Sequence, residues 1–422
     1  MRTTKNSGFE WIGEIPTSWG LYKGKYMFTQ RNLRGNTIEL QLLSPTQKYG
    51  VVPQSVYEDR SGMNAVKLNE NANLSALKTI HKGDFCISLR SFQGGFEYSE
   101  YEGVVSPAYQ VFYPVVKVAR GYYKYLFKDS GFIEKMNSYT MTLRDGKNIA
   151  FADFGNTYIP CPPVDEQQRI ADFLDSKCAE IDALTADIQT QIDTLEQYKR
   201  SVITETVTNG LDPNAEMKDS GVQWIGDTPA HWGVIRGKYI LRYMQKPVRE
   251  NDGVITCFRD GEVTLRSNRR EDGFTMSDKE IGYQGIDVGD LVVHGMDGFA
   301  GAIGISDSRG KASPVLNVLD TDQCKRYIMY YLRSMAYSDV FLALATGIRV
   351  RSCDLRWNKL AELSYPVPPL DEQNAIVKHI DSVLSKADAV IADKKAQLAT
   401  LDEYKKSLIF EYVTGKKEVP VS

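Results

Sequence analysis

Two stretches of the chain, residues 165–209 and 371–415, carry apolar residues at alternating spacings of three and four positions. This spacing is typical of a long helix whose apolar residues form a coiled-coil seam. In the first stretch, one seam position holds Leu174, Ile181, Ile188, Leu195 and Val202, and the other holds Ile170, Lys177, Leu184, Gln191 and Tyr198. In the second stretch, the two positions hold Ile380, Ala387, Leu401 and Leu408, and Ile376, Val383, Val390, Gln397 and Tyr404. Lys394 interrupts the first of these series, and Leu384, Ile391 and Leu398 widen the stripe beside it.

Two such helices in one chain can bury each other's seam. At 1.5 Å per residue, a helix of ~44 residues is ~66 Å long, and a single amphipathic helix of this kind is poorly stable alone. We therefore predict an antiparallel coiled-coil pair that acts as a spacer, with the equivalent polar residues Gln191 and Gln397 setting its register. The alternative is two amphipathic helices, each packed on a separate globular domain.

The chain is an internal repeat. An offset of 206 residues superposes Asp165-Glu166-Gln167 on Asp371-Glu372-Gln373, and both motifs follow a proline pair. An offset of 213 relates residues 7–28 to residues 220–241, including two tryptophans in each copy. The difference between the offsets places the length variation between the helices, where loops tolerate it. Repeats of this length determine the architecture and predict a pseudo-two-fold molecule.

The sequence between the helical stretches favours β structure. Short β-branched and aromatic runs predict strands at 82–89, 103–114, 288–295 and 310–320, and tyrosine-rich helices follow at 121–129 and 325–334. The predicted fold is α+β, with two mixed, mainly β globular domains separated by two long antiparallel coiled-coil helices. The predicted segments are a first globular domain at 1–160, a central helical spacer at 161–209, a second globular domain at 210–366, and a C-terminal helical spacer with its tail at 367–422. Within them, 210–219 is expected to be a polar linker and 416–422 a frayed tail.

Composition narrows the class of protein. Apolar content of 42% and charged content of 25% are ordinary for a globular protein, and no apolar run reaches the ~20 residues of a membrane span. The six cysteines are scattered without a C-x-x-C pair, which favours reduced thiols and a cytoplasmic location. The helical stretches carry net charges of −6 and −2, so the rest of a chain of net charge −3 carries +5. The globular domains are therefore mildly basic, which permits DNA binding without proving it.

The candidate DNA contacts lie in loops that combine basic or amide side chains with glycines and aromatic residues. Arginine can bridge the two acceptors of guanine, asparagine and glutamine can do the same for adenine, and lysine most often holds phosphate. In the first domain the candidates are Lys48, Arg90, Gln93, Arg144 and Lys147, and in the second they are Arg259, Arg266, Asn268, Arg269, Arg270, Arg349 and Arg351. Any one of them is also consistent with a solvated surface. The clusters at 266–270 and 349–351 are stronger candidates than any single member.

No catalytic constellation or metal site is predicted. The proline pairs lack the amide and the aromatic residue that an adenine methyltransferase needs. They are better explained as the end of each globular domain and the start of each helix, because proline is tolerated only near a helix N-terminus. The acidic residues in the first turn of each helix then interact favourably with the positive end of the helix dipole. The segment 304–312 resembles a P-loop but has five residues between its glycines and Ala312 in place of the hydroxyl residue. It is better explained as a turn. Asp145-Gly146-Lys147 lacks a second acidic ligand for a nuclease, and the four histidines show no ligand spacing.

The combination of these motifs resembles the specificity (S) subunit of type I restriction–modification enzymes. The residues that carry the resemblance are the twin openings WIGEIP and WIGDTP, the twin Ser-Pro strands, and the twin proline–Asp-Glu-Gln helix starts with a downstream Leu-x-x-Tyr-Lys. The resemblance covers essentially the whole chain in the order recognition domain, helix, recognition domain, helix. The loop SLRSFQGGFEYSEYEG in the first domain departs from GMDGFAGAIGISDSRG in the second, which implies that the two domains read different half-sites.

The resemblance implies a non-catalytic reader of double-stranded DNA with a bipartite target. It implies two modification (M) subunits bound through the helices, which carry S-adenosylmethionine and methylate adenine, and restriction (R) subunits that use ATP and Mg²⁺. No cofactor is expected on this chain itself. The alternative class is a protein-interaction scaffold whose two β domains bind proteins or glycans without a DNA role. A self-sufficient methyltransferase or nuclease is opposed by the missing motifs.

Overall fold

The two copies of the repeat fold into the same succession of elements in the computed structural model, which describes residues 2–34, 40–65, 74–88, 95–139, 149–269, 281–344 and 355–420. Contacts divide the chain into two compact units. The first unit comprises Met1–Ile188 and Ala396–Ser422, and the second comprises Gln189–Lys395. Each unit therefore contains one globular domain and a part of each long helix.

The first copy of the repeat contains twelve described strands and ends in a long helix. The strands are β1 (Thr4–Asn6), β2 (Glu14–Pro16), β3 (Gly20–Lys23), β4 (Phe28–Gln30), β5 (Leu43–Thr46), β6 (Gly50–Pro53), β7 (Lys78–Ile80), β8 (Phe85–Ile87), β9 (Phe96–Tyr98), β10 (Gly103–Val105), β11 (Gln110–Pro114) and β12 (Tyr158–Cys161). The helices are α1 (Gly24–Met27), α2 (Gln54–Ser61), α3 (Arg120–Leu126), α4 (Ser130–Ser138), α5 (Phe151–Asn156) and α6 (Val164–Asn209).

The second copy repeats this order. Its strands are β13 (Met217–Asp219), β14 (Asp227–Pro229), β15 (Gly233–Arg236), β16 (Leu241–Met244), β17 (Ile255–Cys257), β18 (Val263–Leu265), β19 (Gln284–Ile286), β20 (Leu291–His294), β21 (Ile303–Ile305), β22 (Gly310–Ala312), β23 (Leu316–Thr321) and β24 (Ser364–Val367). Its helices are α7 (Lys325–Tyr337), α8 (Val340–Ala343), α9 (Trp357–Glu362) and α10 (Leu370–Val413). The strands and tyrosine-rich helices predicted from the sequence are thereby confirmed.

The sheets of the two units have equivalent strand orders. An antiparallel four-stranded sheet has the order β4-β11-β8-β9 in the first unit and β16-β23-β20-β21 in the second. Small antiparallel pairs surround it, among them the hairpins β5-β6 and β17-β18 and the closing pairs β3-β12 and β15-β24. The closing pairs bring the strand before each long helix back to the start of its own domain.

The core of the first unit is dominated by aromatic side chains. Phe28, Phe85, Phe112 and Phe127 are all buried, and their ring centroids lie between 5.1 and 6.0 Å apart in edge-on and stacked contacts. Such contacts add to the free energy of burying the rings themselves. The core of the second unit has leucines at the sheet positions equivalent to Phe28, Phe85 and Phe112, namely Leu241, Leu291 and Leu319. The two domains thus share one strand order but pack their cores with different side chains.

The two predicted long helices are confirmed as α6 and α10. Proline pairs precede both helices, and the amides of Glu166 and Gln167 donate hydrogen bonds to the carbonyl of Pro163 at 2.9 Å. Gly210 and Gly415 follow the two C-terminal ends with φ of +77° and +73°, a conformation that glycine adopts without strain. The proline start signals identified in the sequence therefore act where they were expected, and the two glycines mark the C-terminal ends.

The helices pair antiparallel inside each unit, as predicted. In the first unit, the Lys405 ammonium lies 2.5 Å from the Asp182 carboxylate, and in the second the Lys199 ammonium lies 2.6 Å from that of Asp388. These ion pairs occupy equivalent positions, since both partners differ by 206 residues. Within the second unit, Lys394 also donates to the side-chain oxygen of Gln191, the polar position predicted to set the register.

One seam position predicted from the sequence is wrong by one residue in both helices. The series of Leu174, Ile181 and Ile188 is buried as predicted, but the partner series includes the buried Cys178 and Ile192 instead of Lys177 and Gln191. In α10 the buried partner series likewise contains Ile391 and Tyr412. Both frames satisfy the same three-and-four spacing, so periodicity alone does not distinguish them. The residues displaced outward are Leu184, Tyr198, Val390 and Tyr404, each between 45% and 54% exposed.

The remaining predicted seam residues divide between the helix pair and the domain cores. Ile170 and Ile376 are buried in the cores of the first and second units, respectively, and Ile380 is buried in that of the second. Val383, Leu195 and Leu401 are half-buried. The ends of the helices therefore serve as part of each domain.

Two segments expected to be irregular make defined contacts. Met217–Asp219, within the expected linker, forms a strand paired with Asp227–Pro229. The ammonium of Lys416, at the start of the expected frayed tail, donates to the carbonyls of Ile12 and Glu14. Among the described residues, no helix combines the length and the apolar character that crossing a bilayer would require.

Candidate nucleic-acid interface

The best-defined candidate surface in each unit is a β-hairpin whose turn places an aromatic ring beside a cation. In the first unit the turn between β5 and β6 holds Lys48, whose ammonium lies 5.3 Å from the ring centroid of Tyr49. The guanidinium of Arg60 in α2 lies 5.7 Å from the same ring. Basic and aromatic groups placed together can contact both phosphates and bases.

The equivalent hairpin of the second unit collects four predicted residues. The guanidinium of Arg269 lies 4.1 Å from the Phe258 ring centroid. Arg266 donates to Thr256 at 3.3 Å, and Asn268 donates to Thr264 at 2.8 Å, so both side chains are tied to the strands of the β17–β18 hairpin. Arg259 lies in the turn itself. The structure thus places Arg259, Arg266, Asn268 and Arg269 on one hairpin. The last three belong to the cluster at 266–270 that was predicted from the sequence.

Acidic neighbours balance the arginines of this second hairpin. Arg269 forms ion pairs of 2.8 Å with Asp260 and Glu262, and Arg259 forms one of 2.8 Å with Asp297. A nucleic-acid phosphate would have to compete with these carboxylates. Exposed ion pairs are worth about 1 kcal/mol or less, so such an exchange is inexpensive.

Both hairpin turns are fastened to the tyrosine-rich helix region by equivalent cations. The Lys128 ammonium donates to the carbonyl of Gln47 at 3.4 Å, and the Arg333 guanidinium donates to that of Asp260 at 2.8 Å. Lys128 also contacts both oxygens of the buried Glu97 at 2.7 Å. Burial raises the pKa of Glu97 to about 7, although Lys128 opposes the shift. The pattern of the sequence did not single out these anchors.

The downstream ends of two predicted recognition loops are also held in place. In the first unit, Gln110 of β11 donates to the carbonyl of Ile149 and accepts from the amide of Phe151, each at 2.8 Å. In the second, the buried Asn317 of β23 donates to the carbonyls of Val293 and Leu355 at 3.1 and 3.0 Å. The two amides stand at equivalent distances from the Ser-Pro motifs, a signal that could have identified them from the sequence.

The other predicted contact residues lie outside the described residues. They are Arg90, Gln93, Arg144, Lys147, Arg270, Arg349 and Arg351. The Asp145-Gly146-Lys147 triplet lies outside them as well.

Buried tyrosines connect each domain to both long helices. The Tyr122 hydroxyl donates to the carbonyl of Val413 at 2.6 Å, and that of Tyr327 donates to Val207 at 3.0 Å. Burial raises the pKa of both hydroxyls, so they stay protonated donors. In the first unit the Tyr125 hydroxyl donates to Asp175 at 2.6 Å, and Tyr330 of the second unit repeats this contact with Asp381. Each hairpin is therefore held on a frame that includes the helices.

The glutamine of each Asp-Glu-Gln motif is a buried structural clamp. Gln167 accepts from the amide of Ala119 at 2.9 Å and donates to the carbonyl of Pro162 at 2.8 Å. Gln373 makes the same pair of contacts with Cys324 and Pro368, both at 2.9 Å. Because Ala119 and Cys324 precede the tyrosine-rich helices, each glutamine joins the start of a long helix to its own domain.

The segments considered for catalysis have structural explanations. The sequence 304–312 forms the turn between β21 and β22, as expected, and Arg309 within it is held by Asp252 at 2.7 Å and Asp287 at 2.6 Å. No group of histidine, cysteine or carboxylate side chains suited to a metal ion occurs within the described ranges.

Comparison with known proteins agrees with this architecture. The family model "Type I restriction modification DNA specificity domain" matches residues 23–194. The chain is 25% identical over 275 residues to the putative type I restriction enzyme MjaX specificity subunit of Methanocaldococcus jannaschii, a match that covers 62% of this chain and 59% of that protein. It is 24% identical to the MjaVIII specificity subunit of the same organism, over 67% of this chain and 68% of the relative. It is 20% identical to the StySPI specificity subunit of Salmonella potsdam, over 64% of this chain and 59% of the relative.

Two solved structures share the fold. A chain from work on complex assembly and conformational transition of a type I restriction–modification system matches with a TM-score of 0.70 and 14% identity, covering 96% of this chain and 99% of that one. The HsdS subunit from Thermoanaerobacter tengcongensis matches with a TM-score of 0.51 and 14% identity, covering 98% and 100%. The fold class is therefore that of a tandem α+β molecule with two β domains and two long helices. The chain is thus similar to specificity subunits of type I restriction–modification enzymes, and residues 23–194 match the DNA specificity domain of that family. Its match spans less than two thirds of the MjaX relative.

Proposed function

We propose that this chain is the sequence-specific DNA reader of a type I restriction–modification complex and that it has no catalytic activity of its own. One observation carries the proposal: in both units an equivalent hairpin places an aromatic ring of its turn beside a cation, and the turn is anchored by Lys128 in one unit and Arg333 in the other. Rigidly held loops on a repeated scaffold are suited to reading two separate half-sites. The predicted division into recognition domains at 1–160 and 210–366 and helical spacers at 161–209 and 367–422 belongs to this proposal.

The different surroundings of the two hairpins support different half-sites. The first combines Lys48 with Arg60 around Tyr49, whereas the second holds three arginines and Asn268, partly balanced by carboxylates. Arginine and asparagine can read base edges, whereas lysine chiefly contacts phosphate. The target is therefore proposed to be double-stranded DNA with two unlike specific parts and a spacer set by the helices.

The partners are proposed to be two modification subunits and the restriction subunits of the complex, in the cytoplasm. The exposed helix residues Leu184 and Tyr404 of the first unit, and Tyr198 and Val390 of the second, supply apolar docking positions. S-adenosylmethionine, ATP and Mg²⁺ are assigned to those partners. Exposed apolar side chains at equivalent helix positions suit a partner that binds once to each half of the repeat.

Selection from random duplex DNA tests this function. The purified chain with its modification subunits should enrich a bipartite sequence with a fixed spacer. Enrichment of no such motif would contradict the proposal and favour the interaction-scaffold alternative.

A further inference from the structure

The repeated stretches 7–28 and 220–241 each contain a Gly-Lys-Tyr turn near their C-terminal end. These turns are not part of the proposed recognition hairpins. Lys25 and Tyr26 lie in α1, and Lys238 and Tyr239 lie in the equivalent 3-10 turn Gly237–Tyr239. Tyr26 is 63% exposed and Tyr239 is 74% exposed. The two units thus display the same basic–aromatic pair in solvent at the same place of the fold.

Packing does not account for the identity of this pair in the two copies. Between residues 7–28 and 220–241, the other identical residues are buried or partly buried, or lie in turns. Trp19 and Trp232 are 1% exposed, and Gly13 and Gly226 have positive φ. Exposed residues are free to diverge, as Ser18 and His231 at equivalent positions have done. The shared Lys-Tyr pair therefore indicates a surface function common to both units.

The backbone fixes both turns firmly on a neighbouring helix. A Cβ at Gly24 would lie 2.6 Å from the carbonyl oxygen of Phe154, and a Cβ at Gly237 would lie 2.3 Å from that of Leu360. Only glycine allows this approach. The Lys-Tyr pair of the first unit is thereby packed next to α5, and that of the second unit next to α9. In the sequence, these two helices follow the segments that contain Arg144 and Arg349.

Each turn carries an excess of positive charge. The Lys25 ammonium donates to the neutral side chain of Asn156 at 3.2 Å, and Lys23 lies two residues before it. In the second unit, Arg236 and Lys238 share the single carboxylate of Glu362, at 3.0 and 3.2 Å. Two cations facing one anion leave a net positive turn in the second unit as well.

We propose that the two Gly-Lys-Tyr turns bind the DNA phosphodiester backbone, as contacts common to both half-sites and outside the recognition hairpins. The inference rests on the proposed DNA-reading function. Lysine and the tyrosine hydroxyl are common phosphate ligands that carry no sequence information, which explains why units with different recognition loops share them. Protein–protein interfaces are depleted in lysine but enriched in tyrosine, so the salt dependence of DNA binding, and not the residue types alone, separates a phosphate contact from a protein contact.

The salt dependence of DNA binding tests the inference. The full chain with its modification subunits is titrated on a duplex that contains the selected bipartite target, between about 50 and 200 mM salt. Replacing both lysines, as K25Q with K238Q, should reduce the slope of log affinity against log salt by roughly 0.9 per lysine. The selected bases should not change. Replacing both tyrosines, as Y26A with Y239A, should weaken binding to target and non-target duplex alike.

A charge-matched control separates local contact from a general loss of charge. Lys386 and Lys395 are exposed on α10, and the K386Q/K395Q variant should leave the slope unchanged. An unchanged slope in K25Q/K238Q, with the bipartite target still bound, would overturn the inference and leave the proposed function standing. Loss of modification-subunit binding with an unchanged slope would assign the turns to a protein contact and also overturn it. If the unaltered complex selects no bipartite target, the proposed function itself fails.

Discussion

Glu97 and Gly304 show how single residues adapt one fold to two different domains. Both stand on the edge strand of the four-stranded sheet, opposite Cys86 and Val292, respectively. In the first unit the buried Glu97 carboxylate holds Lys128, which in turn holds the hairpin turn. In the second, a Cβ at residue 304 would lie 1.9 Å from the carbonyl oxygen of Gly261, so the hairpin backbone itself fills this space.

The pKa of Glu97 predicts a pH-dependent stability. A folded-state pKa of about 7, raised by burial above the ordinary 4.5, means that the folded chain binds this proton more tightly than the unfolded chain. The free energy of unfolding should therefore fall as pH rises from about 4.5 to about 7. The E97Q variant lacks this titration. Relative to E97Q, the wild-type chain should lose on the order of 2 kcal/mol between pH 5 and pH 8 in urea unfolding.

The neighbouring exposed residue Glu100 provides the control for this experiment. The E100Q variant should follow the wild-type pH profile, because the Glu100 side chain is 64% exposed. Equal free-energy differences between wild type and E97Q at both pH values would contradict the assignment.

At the scale of elements, the long helices were the most predictable part of the chain. Their apolar spacing and the proline pairs before them act locally, so both can be recognised in the sequence alone. The second seam position was wrong because Leu184 and Tyr198 fit the spacing as well as the buried series that contains Cys178 and Ile192. Only the packing of α6 against α10 decides between the two frames.

The proposed recognition surface was less predictable than the helices. The arginine cluster at 266–269 was identified because basic residues there are contiguous, and the structure places them on one hairpin. Lys128 and Arg333 were missed because their role depends on hydrogen-bond partners 81 and 73 residues away along the chain, respectively. Such contacts leave no periodic signal in a single sequence.

The exposed apolar residues beside the helix seam, which include Leu184 and Val390, are predicted to form a surface that binds the modification subunits. The variants L184K and V390K should each weaken binding of modification subunits by tenfold or more, since burying an unpaired charge costs at least about 1.4 kcal/mol. Ala183 and Ala389 precede these residues and are exposed, so A183K and A389K are matched controls. Binding measured by surface plasmon resonance should distinguish the two pairs. Equal effects of the two pairs of variants would contradict a binding surface formed by Leu184 and Val390.

At the scale of the whole molecule, the proposed function is divided between the two copies of the repeat. Equivalent contacts recur in both units: the Gln167 and Gln373 clamps, the Tyr122 and Tyr327 hydrogen bonds, and the anchored hairpin turns. The frame is thus shared, and the hairpin side chains differ. This division predicts that each recognition domain acts independently on its own half-site.

Exchange of one domain tests this central claim most directly. Residues 1–160 are replaced by the corresponding domain of a known type I specificity subunit, and the target is selected from random duplex DNA in the presence of the modification subunits. If each domain reads its own half-site, one half-site should change to that of the donor while the other half-site and the spacer stay the same. A change in both half-sites, or in neither, would contradict it.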